Sequence, residues 1–371
     1  MDKLLSEIET LIRNGYSDAQ ILEKLNLPDD EFIEISKARI KAKEKFQDGN
    51  KLFLTRDDLR FATPDIVAEY RASRLKCNAI ADFGCGIGGQ SMAFAKFCKK
   101  VYAIDNDGKK IEYAKRNADV RELKNIEFIN SDFLDEKLKN KIKDSSIIFC
   151  DPSRATEEKE RNIDSISPIV DKILKIYPEK DFAIEIPPQI KPEKIDYDCE
   201  KEYLSLDFAL NRLTLYFGKL KKCDVSAVSL PERFRIENNK NEKELISSDI
   251  LSYIYEVDSA IIKAGLLENL AFSIKNPLFL YQKNKKTILT SDYKIRNPFL
   301  RGYGVLAKCN PEIQSIIEKL KENNIGKITL RMQINPEKFW DYKNRIEKNL
   351  SGDKRAQLFV FGKEAVVGEE V

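Results

Sequence analysis

Three glycines at alternate positions, Gly84, Gly86 and Gly88, follow the acid Asp82 at the end of an apolar run, and helical periodicity begins at Gly89. Such a turn lets the backbone approach a ligand closely, and the helix that it opens presents unpaired amides. Asp105 closes the next apolar run, where a carboxylate can accept hydrogen bonds from two ribose hydroxyls. A dinucleotide site wants Gly-x-Gly-x-x-Gly with a phosphate at the helix start. Asp82 would repel that pyrophosphate but suits an ammonium group, so the inferred ligand is S-adenosyl-L-methionine rather than a nicotinamide dinucleotide. The expected cofactor residues are Asp82, Gly84, Gly86, Gly88 and Asp105, joined by Asp132 and Phe133 after the third apolar run. There an acid can meet an adenine amino group. The Phe133 ring can cover the base or pack in the core, and its residue type fits both roles.

The elements that must hold these residues alternate short apolar runs with amphipathic stretches from about 51 to 218, the pattern of a parallel sheet covered by helices. Strands are expected at Ala79–Phe83, Val101–Ile104, Ile126–Ile129, Ile147–Cys150 and Phe182–Ile186, with helices at Gly89–Cys98 and Lys109–Val120. Tyr203–Leu206 and Leu213–Phe217 lie close enough to pair antiparallel at the end of the sheet, and Val225–Leu230 can add another strand. The fold class is α/β, a doubly wound Rossmann-like sheet with an antiparallel terminal strand. Upstream, residues 1–50 read as helices with Ser17 as a cap, either an arm packed on the next domain or a helix-turn-helix module. The expected divisions are 1–50, 51–235 for the cofactor domain, 236–300 for a linker with a small helical subdomain, and 301–371 for a small α+β domain.

The segments Asp82-Phe83-Gly84-Cys85-Gly86-Ile87-Gly88, Ile104-Asp105 and Ser131-Asp132-Phe133 resemble motifs of class I S-adenosylmethionine-dependent methyltransferases. With Phe61-Ala62-Thr63-Pro64 and Glu69-Tyr70-Arg71 upstream, residues 57–155 are similar to the trimethylguanosine synthase group of RNA cap guanine methyltransferases. The order of Ile184-Glu185-Ile186-Pro187, Tyr253-Ile254-Tyr255-Glu256, Ala264-Gly265-Leu266 and Arg301-Gly302-Tyr303 resembles a prokaryotic family that couples such an enzyme to a C-terminal THUMP-like domain. By analogy with THUMP domains, that resemblance implies binding to a structured RNA such as tRNA or rRNA.

The fourth apolar run ends in Cys150-Asp151-Pro152-Ser153-Arg154. In amino-group methyltransferases an acid or amide, two prolines and an aromatic stand here, so the resemblance casts Asp151, Pro152 and Arg154 as the catalytic rim. Ser153 and Arg154 replace the second proline and the aromatic, which argues against cap guanine as the substrate. Arg154 can stack on a base or bind phosphate, or pair with Glu157 or Glu158. Cys150 precedes the acid and should point into the sheet, so a covalent cysteine mechanism is not expected. Cys309-Asn310-Pro311 lies far beyond the cofactor domain and reads as coincidence, while Pro187-Pro188 can shape the rim or simply end a strand.

The 371 residues include no histidine, which removes the commonest general base and metal ligand. Seven cysteines without a Cys-x-x-Cys pair point to a reduced, cytoplasmic protein without a structural metal, and no apolar stretch is long enough to span a membrane. Lys+Arg 64 against Asp+Glu 61 leaves +3, so nucleic-acid affinity must come from local patches. Lys308, Lys327, Arg331, Lys354 and Arg355, with Tyr303 and Trp340, are the candidates for such a face. The reading that results is a methyltransferase acting on a base nitrogen of a structured RNA. Its rivals are an RNA-binding protein that retains the cofactor pocket and a protein or small-molecule methyltransferase.

Overall fold

The apolar runs of the first half form strands where their spacing predicts them. A computed structural model describes residues 2–152, 167–239, 241–282, 286–332 and 334–371. The chain divides into two compact units, one of residues 1–207 and 211–233, the other of 208–210 and 234–371. In the first unit lie β1 (Ala79–Phe83), β2 (Lys100–Asp105), β3 (Ile126–Asn130), β4 (Ile147–Cys150) and β5 (Asp181–Ile186). They pair in parallel in the order β3-β2-β1-β4-β5. β6 (Glu200–Leu206) and β7 (Ala209–Tyr216) follow, with β7 antiparallel to β5. The hairpin is not terminal as expected, because β8 (Val225–Leu230) pairs in parallel with β6 and extends the sheet.

Helices α1 (Asp2–Arg13), α2 (Asp18–Leu25) and α3 (Glu31–Ala42) precede the sheet. Ser17 caps α2 as its residue type predicts, in a capping box closed by Gln20. Leu5, Ile35, Ala38, Ala42 and Phe46 form one apolar cluster with Ile87 and Tyr113, so these helices form a packed arm. After α4 (Arg56–Phe61) and α5 (Asp65–Arg74), the helix α6 (Gly89–Ala95) follows the glycine turn. Ala68, Ala72, Ala93 and Phe94 from α5 and α6 pack on Ile80, Ile147, Phe149 and Ala183 of the sheet. α7 (Gly108–Val120) begins at Asp107, whose carboxylate accepts from the amides of Lys109 and Lys110. From it the buried Asn117 donates to the carbonyls of Phe53 and Ile87 at 3.0 and 2.9 Å and accepts from the Phe53 amide at 2.6 Å. The short α8 (Leu138–Lys141) and α9 (Ser167–Ile176) complete this unit's helices among the described residues.

In the second unit, β9 (Phe234–Glu237) leads to β10 (Tyr253–Val257), α10 (Ser259–Ala264), α11 (Leu267–Ser273), β11 (Phe279–Gln282) and β12 (Ile288–Ser291). The stretch 236–300, expected as a linker with a small helical subdomain, thus contributes three strands to one sheet with the residues that follow. These are β13 (Leu300–Cys309), α12 (Ile313–Glu322), β14 (Ile325–Leu330), α13 (Pro336–Glu347), β15 (Lys354–Phe361) and β16 (Glu364–Glu370). The order is β11-β12-β10-β13-β16-β15-β14, antiparallel except for β14 with β15. Short strands broken by Asn-Pro turns hide that sheet in the sequence. α12 and α13 cover one face through Ile316, Leu320 and Ile346 against Ile328, Leu330, Ala356 and Leu358. The other face curls on itself, for the Tyr281 ring on β11 meets Phe361 on β15 edge-on at 5.2 Å. Among the described residues no helix is long and apolar enough to cross a membrane.

Candidate functional site

β1 delivers its chain end to a turn in which Gly84, Gly86 and Gly88 all take positive φ, at 75°, 53° and 84°. Side chains other than glycine rarely adopt that backbone, which is why these three positions are glycine. The amides of Gly84 and Cys85 donate to the Ile104 carbonyl at 2.9 and 3.0 Å, tying the turn to the end of β2. Asp105 stands there almost wholly buried, its two oxygens accepting from the amides of Gly86 at 2.8 Å and Asp107 at 2.9 Å. Each oxygen keeps a further lone pair, so the carboxylate is fixed in place and still able to accept from a vicinal diol. Asn130 and Ser131 donate to the Asp105 carbonyl, which brings the end of β3 alongside.

Asp132 is exposed and accepts from the Leu134 amide at 2.9 Å. The half-buried Phe133 ring stacks on Phe83 at 5.4 Å and 16°, and the Tyr177 hydroxyl donates to its carbonyl at 3.0 Å. Phe133 is therefore anchored to the core at the same rim as the glycine turn.

Asp82 lies on the sheet face that α5 and α6 cover, opposite Phe149 in register. It is 1% exposed and accepts a hydrogen bond from the Ser91 hydroxyl. Burial pushes its carboxyl pKa up to about 7, opposed by the Ser91 hydrogen bond and the Arg71 cation. Phe149 pairs with Ala183, so two positions further on stand Glu185 of β5 and Asp151, the residue after β4, both of which act on the charge of Arg71. Asp82, Asp151 and Glu185 thus form a row of acids across three adjacent strands.

Cations from elsewhere in the chain meet this row. Arg71 of α5, 2% exposed, donates to the Gln90 side-chain oxygen at 2.7 Å and pairs with Glu185, its guanidinium 4.6 Å from the centre of the Phe149 ring. Burial works against its charge, yet Glu185 and Asp151 help to hold its pKa above the ordinary value. Arg212, near the start of β7, lies 2.6 Å from the other Glu185 oxygen and donates to the Thr63 hydroxyl at 3.4 Å. These three charged residues were not among the expected site residues. One signal was present, an acid within the apolar run Phe182–Ile186. Cys150 is fully buried, and its thiol is pushed well above its ordinary pKa by burial and by Asp151, as its place in the sheet predicts.

Asp151 and Pro152 are half-buried, and a Cβ built on Gly84 would lie 3.2 Å from the Asp151 carbonyl oxygen. The cofactor turn and the end of β4 are therefore in contact. Ser153 and Arg154 lie outside the described residues. Among the described residues no group of three or more acids or cysteines could hold a metal ion.

In the second unit the candidate basic face divides. Lys327 and Arg355 are register partners on the sheet face opposite α12 and α13, and Arg331 follows on that side. The exposed Lys354 pairs with Ile325. Lys308 is anchored to the Ile250 carbonyl at 2.6 Å. Tyr303, expected on this face, is fully buried and donates to Glu256 at 3.0 Å, so it cannot stack on a ligand. Trp340 is 65% exposed on α13, the helix that covers the opposite face.

Residues 77–161 match the family model of RNA cap guanine-N2 methyltransferases. Over 126 residues the chain is 33% identical to a Methanocaldococcus jannaschii protein named "Probable cobalt-precorrin-6B C(15)-methyltransferase (decarboxylating)", a match covering 32% of this chain and 56% of that protein. The fold is shared with the crystal structure of a methyltransferase candidate from Porphyromonas gingivalis W83, at a TM-score of 0.74 and 15% identity over 99% of this chain and 97% of that one. The glycine turn, its Asp105 partner and the family match at the same residues make the first unit of this chain an S-adenosylmethionine-dependent methyltransferase domain.

Proposed function

We propose that this domain methylates a nitrogen on a base of a structured RNA, tRNA or rRNA, and that residues 301–371 act as a THUMP-like module for the same RNA. The observation that carries the reading is the contact between Gly84 and the Asp151 carbonyl, which sets the cofactor turn against an acid able to hold an amino group. The family match supports it by spanning the glycine turn, Asp105 and Asp151-Pro152 together. The turn and the fixed Asp105 carboxylate fit a ligand with a ribose diol, and Asp82 and Asp132 would complete its binding with Phe133. When bound, the cofactor supplies an electrophilic methyl group on a sulfonium.

Asp151 accepts from the acceptor nitrogen, orients its lone pair, and attracts the positive charge that grows on it during attack. Pro152 keeps the chain after β4 stiff. Arg71 sets a positive charge beside Glu185 and Asp151, and the nitrogen loses its proton late, so no histidine is needed. Positioning supplies much of the acceleration.

A second reading, an RNA-binding protein that retains the pocket, rests on Ser153 and Arg154 standing in place of a proline and an aromatic. Labelled methyl transfer to RNA from a strain lacking the gene separates the two. Asp151→Ala is expected to cut the rate by roughly 100-fold with RNA binding unchanged. Full activity in that variant removes Asp151 from the reaction, and no transfer by the wild type to any RNA fraction leaves the binding protein.

A further inference from the structure

Phe61 ends α4 with its ring 62% exposed. An apolar ring in water at a frayed helix end would mean little, but this end is fixed. The Lys45 ammonium donates to the carbonyls of Leu59, Arg60 and Ala62 at 2.7, 3.1 and 3.0 Å. A capping box of Thr55 and Asp58 holds the other end of the helix. The backbone around Phe61 is therefore rigid while its side chain makes little contact with the protein.

Its place is the rim of the site. Two residues on, the Thr63 hydroxyl accepts from Arg212, whose guanidinium meets Glu185 at the end of β5, beside Asp151. Burial and then the Arg212 charge lower the Lys45 pKa, which sets the clamp on α4 in the same neighbourhood. The Arg60 guanidinium lies 5.3 Å from the centre of the Phe61 ring.

We propose that Phe61 is the stacking platform for the acceptor base. The inference rests on the reading of Asp151 as the holder of an acceptor nitrogen. A hydrogen bond to an amino group leaves the base free to swing about that bond, and in-line attack needs its plane fixed. The residues after Asp151-Pro152 carry no aromatic to do so, as Ser153 and Arg154 stand there. Phe61 supplies an apolar face at the same rim, with the exposed Arg60 guanidinium beside it as counter-charge for phosphate. The occupant is a base unstacked from a loop or single strand of RNA, the form in which proteins take bases out one at a time. Stacking on an aromatic contributes roughly 5- to 150-fold in affinity per base.

Three full-length variants test the proposal. Phe61→Ala is expected to raise the KM for RNA by about tenfold or more, with a smaller change in kcat, because stacking exists before and during transfer. Its melting temperature and calorimetric cofactor affinity stay those of the wild type, and Phe61→Tyr restores the KM. An unchanged KM in Phe61→Ala, or a loss confined to cofactor binding, overturns the proposal.

A direct readout needs no turnover. Phe61→Trp in a Trp340→Phe background places the chain's one tryptophan at the rim. Its emission is expected to be quenched by a short mixed-sequence single-stranded RNA and not by an abasic strand of the same length. Equal quenching by both means phosphate binding without stacking, and no quenching by either means that no base reaches the ring; each result overturns the platform. Base-dependent quenching in a protein that transfers no methyl group would keep the platform and discard the catalytic reading.

Discussion

Glu185 in the first unit and Glu256 in the second are each 3% exposed and each meet two cations, yet the cations differ. Around Glu185 the Arg71 side chain is 2% exposed and Arg212 19%. Around Glu256 the Lys286 side chain is 47% exposed and Arg331 25%, and Tyr303 completes the acid's hydrogen bonding. In the first case the positive charge is consumed inside the protein, where it joins α5, β5 and β7 at the rim. In the second a buried acid orients cations that keep their heads in water. The same residue type assembles a site in one unit and pre-orients a surface in the other.

Removing the acid breaks the comparison most sharply. Glu185→Gln leaves two largely buried guanidiniums facing a neutral amide and is expected to cost about 3–5 kcal/mol of stability in denaturant unfolding. Glu256→Gln is expected to cost nearer 1 kcal/mol, because Lys286 and Arg331 can turn to solvent. Equal costs would show that the exposure of the partners does not matter.

The pH dependence sharpens it next. The folded-state pKa of Asp82, about 7, stands above its ordinary value of 3.8, so the folded protein holds that proton more tightly than the unfolded chain. Its contribution to stability is full below pH about 4 and is lost as the pH rises to about 7. Asp82→Asn should remove that decline from thermal melts taken across the interval. A melting curve series whose pH slope matches the wild type would show that Asp82 is already ionised when folded.

The smallest expected effect belongs to the second unit. Lys327→Ala combined with Arg355→Ala should lower the slope of log affinity for RNA against log salt by about 2, one unit per lost phosphate contact, with stability unchanged. A cut at residue 300 is not a usable test, because it would part β10, and with it β12 and β11, from β13, the strand through which they join the rest of the sheet. An unchanged salt slope in the double variant would show that this face does not touch RNA.

The parts that local pattern specifies were legible in the sequence. β1 to β5 follow from apolar runs, the turn from its glycines, and the place of Asp105 at the end of β2 from the apolar run that it closes. The rim network was not, because Thr63, Arg71, Glu185 and Arg212 come together only through the packing of α5 on the sheet and the return of β7 beside β5. In the second unit residues 301–371 read as a small α+β domain, but its sheet also takes β10, β11 and β12 from before residue 300 and closes through Tyr281 and Phe361, which are far apart in the chain. Tyr303 shows the limit of residue type alone: an aromatic beside arginines looks like a ligand contact and is a core residue with its hydroxyl on Glu256.

Asn117 carries a mechanical consequence. Its carboxamide pins Phe53 to Ile87, and Ile87 belongs to the glycine turn while it shares an apolar cluster with Leu5 of α1, with Ile35, Ala38 and Ala42 of α3, and with Tyr113 of α7. The helical arm is thus a brace on the cofactor loop, and position 50 is a joint, not a seam. Cutting there would take Leu5, Ile35, Ala38, Ala42 and Phe46 out of the apolar cluster that holds Ile87, and would leave Asn117 with all three of its partners. The loop would then soften from behind, with every residue that faces the ligand still in place.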